Sequence, residues 1–266
     1  MRCPPPHSGS ATLCRILGCL LATVAVLGGC VAPTHTAPTQ LARLHVTGPT
    51  AIDAQTFAGD VQITVDPRVP RASVYVTIES RHPWTRRSAA RLAHDTVQWS
   101  AKLLPGDLGE VLEVRTWCDG PDADLLKANL RIVAPSVENV RIKTRYGDVQ
   151  CRRAAGTLDI DVQHGDVLVR TDRPMRSRVE ISNADGDITY IVGPESTGIV
   201  DAMAIGGSVT WKILTVPTRY LGEIDGDRLH AAFGDAHNTI LLRTVDGDIA
   251  IQAIARPIPD ATPLPD

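Results

Sequence analysis

T-V-D-G-D-I-A-I, residues 244–251, reads as a tight turn between two short strands, and nearly the same phrase occurs six times along the chain. Aligned on the glycine, the copies are T-R-Y-G-D-V (144–149), V-Q-H-G-D-V (162–167), N-A-D-G-D-I (183–188), A-I-G-G-S-V (204–209), E-I-D-G-D-R (223–228) and T-V-D-G-D-I (244–249). Their glycines, Gly147, Gly165, Gly186, Gly207, Gly226 and Gly247, are separated by 18, 21, 21, 19 and 21 residues. So regular a spacing is the mark of a repeat architecture.

Apolar and polar residues alternate around each glycine. Val140, Ile142 and Thr144 interleave with Arg141, Lys143 and Arg145; Leu158, Ile160 and Val162 interleave with Asp159, Asp161 and Gln163. The alternation resumes beyond the bend, as in Ile188 and Tyr190 or Ile249 and Ile251. A period of two marks strands with one buried face. Each unit is therefore strand, bend, strand and a looser return. Such a unit cannot bury its own apolar face, because an isolated hairpin is marginal in water. Stacking successive units can, which predicts an all-β, solenoid-like stack of short strands, each coil lying on the previous one. The competing architecture is an antiparallel sandwich of hairpins joined at each bend.

An earlier copy stands at Gly59-Asp60, and 88 residues separate Gly59 from Gly147. Strand-like segments lie between, at Val74–Ile78, Val97–Leu103, Val111–Thr116 and Leu130–Val133, and the longest helix-compatible stretch is Ser88–His94. Residues 41–135 read as a less regular opening part of the repeat domain, with a separate N-terminal domain as the alternative; residues 136–255 are the regular part.

The bend chemistry is specific. Glycine is required where φ is positive, and aspartate accepts hydrogen bonds from nearby backbone amides. Superposed bends would place Asp148, Asp166, Asp187, Asp227 and Asp248 in a column about 4.8 Å apart. At that spacing neighbouring charges repel by about 0.9 kcal/mol in water and ~3.5 kcal/mol at an effective dielectric of 20. Backbone amides, the nearby cations Arg145, Arg152, Arg153 and Arg170, or calcium held with Asp185, Asp225 and Asp246 are the three ways to offset this. Neither the nine-residue calcium-roll spacing nor an EF-hand loop is present, so structural bends without a cofactor are the favoured reading and calcium the lesser one. Ser208 and Arg228 depart from the pattern and predict irregular fourth and fifth coils.

The ends of the chain bear on location. An apolar run, Ile16–Leu27, follows Arg2 and Arg15 with no acid before it, as in a secretory signal. It closes in L-G-G-C, residues 27–30, which resembles the bacterial lipobox. The resemblance implies removal of residues 1–29, palmitate-type lipid on Cys30, and, from Val31 in place of Asp, an outer-membrane address. Residues 30–40 then form a Pro/Thr-rich tether and residues 256–266 a Pro-rich tail. Loss of the leader takes the formal charge from −3 to −5, which disfavours nucleic acid as a partner. Cys118 and Cys151 remain in an oxidising compartment as candidates for one disulfide.

No G-x-S-x-G, H-E-x-x-H or phosphate-cradling loop is present, and the acids are distributed by the repeat and not paired for general acid–base work. Trp99 and Trp117 sit in strand-like segments, where core packing is expected. The acid-free insertion S-R-H-P-W-T-R-R-S-A-A-R (80–91) combines Arg81, Arg86, Arg87 and Arg91 with Trp84; it suits anionic headgroups or glycolipid, though a solvated loop is the plainer reading. The opening copy, N-L-R-I-V-A-P with V-R-I-K-T-R-Y-G-D-V-Q, and the later bends together resemble the bacterial putative-adhesin family of β-strand-repeat envelope proteins. The resemblance implies a β-helix-like fold from about Leu41 to Ala255 and a non-enzymatic, lipid-anchored envelope protein presenting an adhesin-like interaction surface. Its partners would be the membrane, through the lipid, and an envelope glycan or protein. The alternatives are a structural or stress-response periplasmic lipoprotein and, third, a polysaccharide-active enzyme.

Overall fold

The computed structural model describes residues 34–253, apart from 82–85, 108, 121, 213–216 and 223–224. Cys30 with its leader, Trp84 and the tail from Arg256 lie outside the described residues, as do the side chains of Arg86 and Arg87.

The alternating segments all become strands. In chain order they are β1 (His35–Thr36), β2 (Gln40–Leu44), β3 (Thr50–Thr56), β4 (Val61–Val65) and β5 (Ala72–Ser80), followed by the helix α1 (Arg86–Thr96). Next come β6 (Val97–Gly106), β7 (Gly109–Cys118), a single 3₁₀ turn at Ala123–Leu125, β8 (Leu126–Ala134), β9 (Val137–Tyr146) and β10 (Val149–Arg152). The regular part continues as β11 (Thr157–His164), β12 (Val167–Arg170), β13 (Val179–Asp185), β14 (Ile188–Val192), β15 (Gly198–Ala204) and β16 (Val209–Lys212). The last four are β17 (Thr218–Tyr220), β18 (Arg228–Phe233), β19 (Thr239–Asp246) and β20 (Ile249–Ala253).

Two sheets hold them. One runs β1-β5-β8-β4-β10-β12-β14-β20-β16, with β2 also on β5; the other runs β17-β18-β15-β19-β13-β11-β9-β3-β7-β6. Each bend carries the chain from the second sheet to the first, so that β3–β4, β9–β10, β11–β12, β13–β14, β19–β20 and β15–β16 form six rungs in the same order on both sides. Neighbouring rungs pair in parallel, for example Val149 with Val167 and Leu158 with Val179. Antiparallel strands flank the stack: β1, β2 and β5 in the first sheet, β6 at one end of the second and β17 and β18 at its other end. The parallel register decides for the solenoid-like stack over the hairpin sandwich.

Inward residues superpose into columns. Ile142, Ile160, Ile181, Leu242 and Ala202 come from neighbouring strands of one sheet and Val149, Val167, Ile188 and Ile249 from the other, all essentially inaccessible to solvent. Fully burying one such aliphatic side chain contributes about 1.5–3 kcal/mol. The core is continuous through the rungs, which is why no rung stands alone.

Four details differ from expectation. The rungs do not stack in chain order: the Gly247 rung inserts between those of Gly186 and Gly207, since β20 pairs with both β14 and β16. Gly226-Asp227 is not a bend of the stack, because the chain there returns antiparallel as β18 on β15. Cys118 and Cys151 are both free; Cys118 ends β7 in one sheet whereas Cys151 is buried in β10 of the other, so the strand layout and not sequence distance keeps them unbridged. Trp117 is 37% exposed, because successive residues of β7 alternate faces and Thr116 takes the inward place.

Candidate functional site

The bends superpose. The N–H of Asp148 donates to a carboxylate oxygen of Asp60 at 3.0 Å, that of Asp166 to Asp148 at 2.9 Å, that of Asp187 to Asp166 at 2.9 Å and that of Asp248 to Asp187 at 2.8 Å. Each carboxylate therefore takes the amide of the aspartate one rung away, and the result is a continuous ladder along one edge. Both ends are neutral. Asn129 Oδ1 accepts the Asp60 N–H at 3.0 Å, and Ser208 donates both its N–H (2.7 Å) and its hydroxyl (2.9 Å) to Asp248. Those two donors hold the Asp248 carboxyl below its ordinary range.

Glycine is obligatory within the ladder. Gly147 and Gly165 have φ of 127° and 133°, and a Cβ on Gly165 would lie 2.4 Å from the carbonyl oxygen of Gly147. The glycine carbonyls stack as Gly59, Gly147, Gly165, Gly186, Gly247 and Gly207, each against the next. Nothing lies within 4 Å of the corresponding point on Gly226; the Gly226 carbonyl accepts the Val209 N–H at 2.8 Å and the Asp227 carbonyl the Ala204 N–H at 2.9 Å, so this segment meets the Gly207 rung through its main chain and not through the carboxylate ladder. The Ser208 substitution, expected to mark irregularity, instead terminates the ladder.

Amides, not cations, compensate the aspartates. Arg145 lies over the Tyr146 ring at 5.1 Å, and Arg153 pairs with Asp172 at 3.5 Å. Arg152 and Arg170 are register neighbours on the outer face of the first sheet. Among the described residues no three His, Cys, Asp or Glu side chains gather to hold a metal ion. One step before the glycines a second row runs up the edge: Tyr146 stacks on His164 with centroids 5.0 Å apart, and His164 Nδ1 lies 3.2 Å from Asp185.

A groove of about 670 Å³ lies beside this row. It forms at a seventh rung, β7–β8, which sequence reasoning missed because it has no Gly-Asp bend. Here the chain crosses between the sheets by way of the 3₁₀ turn Ala123–Leu125 instead, yet Ala128 meets Gly59 and Asn129 takes the aspartate's place. Ala123 and Asp124 of this crossing line a cleft together with Gln55, Lys143 and Asp161, register neighbours on the outer face of the second sheet. Lys143 Nζ lies 3.7 Å from Asp161. Arg81, Lys127 and Arg145 also line it, and among the described residues none of the three has an ion pair. Of the described arginines of the basic insertion, Arg81 lines the cleft and Arg91 does not.

Parallel two-sheet rungs joined by stacked Gly-Asp bends are thus the architecture, and residues 122–252 match the Toastrack DUF4097 family. This stretch is similar to the Toastrack domain family. The wider fold resembles the crystal structure of a "putative cell adhesion protein" from Clostridium sporogenes, at 11% identity and a TM-score of 0.51, covering 84% of this chain and 100% of that one. More distant are a "putative adhesin" from Bacteroides fragilis (14% identity, TM-score 0.31, 82% and 97% covered) and one from Parabacteroides distasonis (8%, 0.21, 82% and 98%). Only the first is close enough to bear on the fold. No curated protein matches the chain. The Toastrack match begins at the Ala123–Leu125 crossing, so the groove joins the Toastrack rungs to Gln55 and Arg81 from the preceding segment.

Proposed function

We propose that the chain is a non-enzymatic, lipid-anchored envelope protein whose Toastrack stack is a rigid, adhesin-like interaction surface. The observation that carries this reading is the ladder. The repeated aspartates are engaged by main-chain amides of adjacent rungs, which makes them structural and leaves the outer faces for contact. The name borne by the Clostridium sporogenes protein of similar fold supports the same role. The lipobox-like L-G-G-C supports anchoring at Cys30, and Val31 supports the outer membrane.

Cells producing Cys30→Ser are expected to release the protein from the membrane fraction and to lose its palmitate label; retention in that fraction overturns the anchor. Adhesion is read separately. Deleting the protein should reduce retention of intact cells on glycan-coated surfaces, and protease applied outside should digest it. Unchanged retention together with protease protection would favour a structural periplasmic role.

A further inference from the structure

The groove at the β7–β8 crossing is chemically unlike the rest of the ladder edge. Among the described residues, Arg81, Lys127 and Arg145 bring three cations without an ion pair, and Arg81 and Arg145 are exposed. Beside them stand the Lys143–Asp161 pair and the Gln55 and Gln163 amides. The cations reach the cleft from separate parts of the chain: Arg81 beyond β5, Lys127 at the start of β8 and Arg145 near the end of β9. The volume, about 670 Å³, falls within the range of small-ligand sites, roughly 300–1,000 Å³.

We propose that this groove binds an acidic oligosaccharide, a glycan whose sugar rings carry carboxylate or sulfate groups. Arginine and lysine meet the acid groups, while the amides and the Asp161 and Asp124 carboxylates suit the hydroxyls between them. The concave shape and the two aspartates fit separated acid groups on a polyol better than a flat anionic membrane, against which both carboxylates would be repelled. The inference goes beyond the proposed display role, since binding is measured on purified protein wherever the chain resides.

Full-length protein in neutral detergent would be titrated by calorimetry with trigalacturonate and with a heparin hexasaccharide, with maltotriose as the neutral control. The expected result is binding of at least one acidic sugar, weakening with salt, and none of maltotriose. Replacing Arg81, Lys127 and Arg145 together by Ser should weaken that binding roughly tenfold or more at an unchanged melting temperature. Replacing the exposed Arg43 and Arg71, outside the groove, should not. No binding of either acidic sugar, equal binding of maltotriose, or full affinity in the triple variant would overturn the proposal. So would inorganic phosphate displacing the sugar at equal concentration, or anionic liposomes binding through the same three residues more tightly than either sugar.

Discussion

Asp60 accepts the backbone N–H of Asp148 at 3.0 Å, joining two bends 88 residues apart in sequence. The bond is the same one that Asp148 makes to Asp166 only 18 residues on. Chain distance is immaterial once two rungs are neighbours, because each aspartate of the ladder offers its amide on one side and its carboxylate on the other. The ladder is consequently tested at single residues.

Asp166→Ala removes the acceptor of the Asp187 N–H and should cost about 0.5–1.5 kcal/mol in urea unfolding. Asp166→Asn should be nearly neutral, since an amide oxygen fills this role at Asn129. Equal stability of wild type and the alanine variant would contradict a structural ladder.

Gly165→Ala places a methyl group 2.4 Å from a backbone carbonyl at φ 133°, and a loss of about 2 kcal/mol or more is expected. Gly226→Ala meets nothing within 4 Å and should change stability by less than about 0.5 kcal/mol. Comparing the two midpoints tests which glycines belong to the stack.

The lowered Asp248 carboxyl links the end of the ladder to pH. A folded-state value below the unfolded one contributes stability above the ordinary carboxylate range, lost as pH falls through the lowered value. Ser208→Ala keeps the N–H, the larger cause of the lowering, and removes the hydroxyl donor, so it should move the Asp248 titration part of the way back toward its ordinary position, as followed by carboxyl carbon NMR. An unchanged titration would dissociate the Ser208 hydroxyl from the shift.

Burial pushes the Cys151 thiol up to about 12, so it stays protonated and shielded in the native protein. Alkylation at pH 8 followed by peptide mapping should label the half-exposed Cys118 and leave Cys151 unmodified until the chain is unfolded. Rapid native labelling of Cys151 would contradict its place in the core.

Much of the fold was legible because its signals are local. Alternation at Leu158, Ile160 and Val162 specifies a one-sided strand wherever it lies, and Gly165-Asp166 specifies a bend whatever rung sits beside it. The groove was not legible. Lys127 and Arg145 stand 18 residues apart and Arg81 is further still, and what unites them is a crossing at Ala123–Leu125 that bears no repeat motif. Of the three cations, only Arg81 and Arg145 stood out in the sequence, Arg81 in a basic loop and Arg145 as a counter-charge to the aspartates.

By itself the sequence determined that the chain builds one-sided strands joined by stacked Gly-Asp bends, because residue alternation and backbone conformation act within a few positions. Only the tertiary structure decided which rung lies on which: the Gly247 rung between those of Gly186 and Gly207, Asn129 below Asp60, and Gly226 against the end rung by its carbonyl alone. Parallel rungs present the same row of amides and carbonyls, so their order is set by the fit of inward side chains and the reach of the connections, neither of which a single repeat encodes.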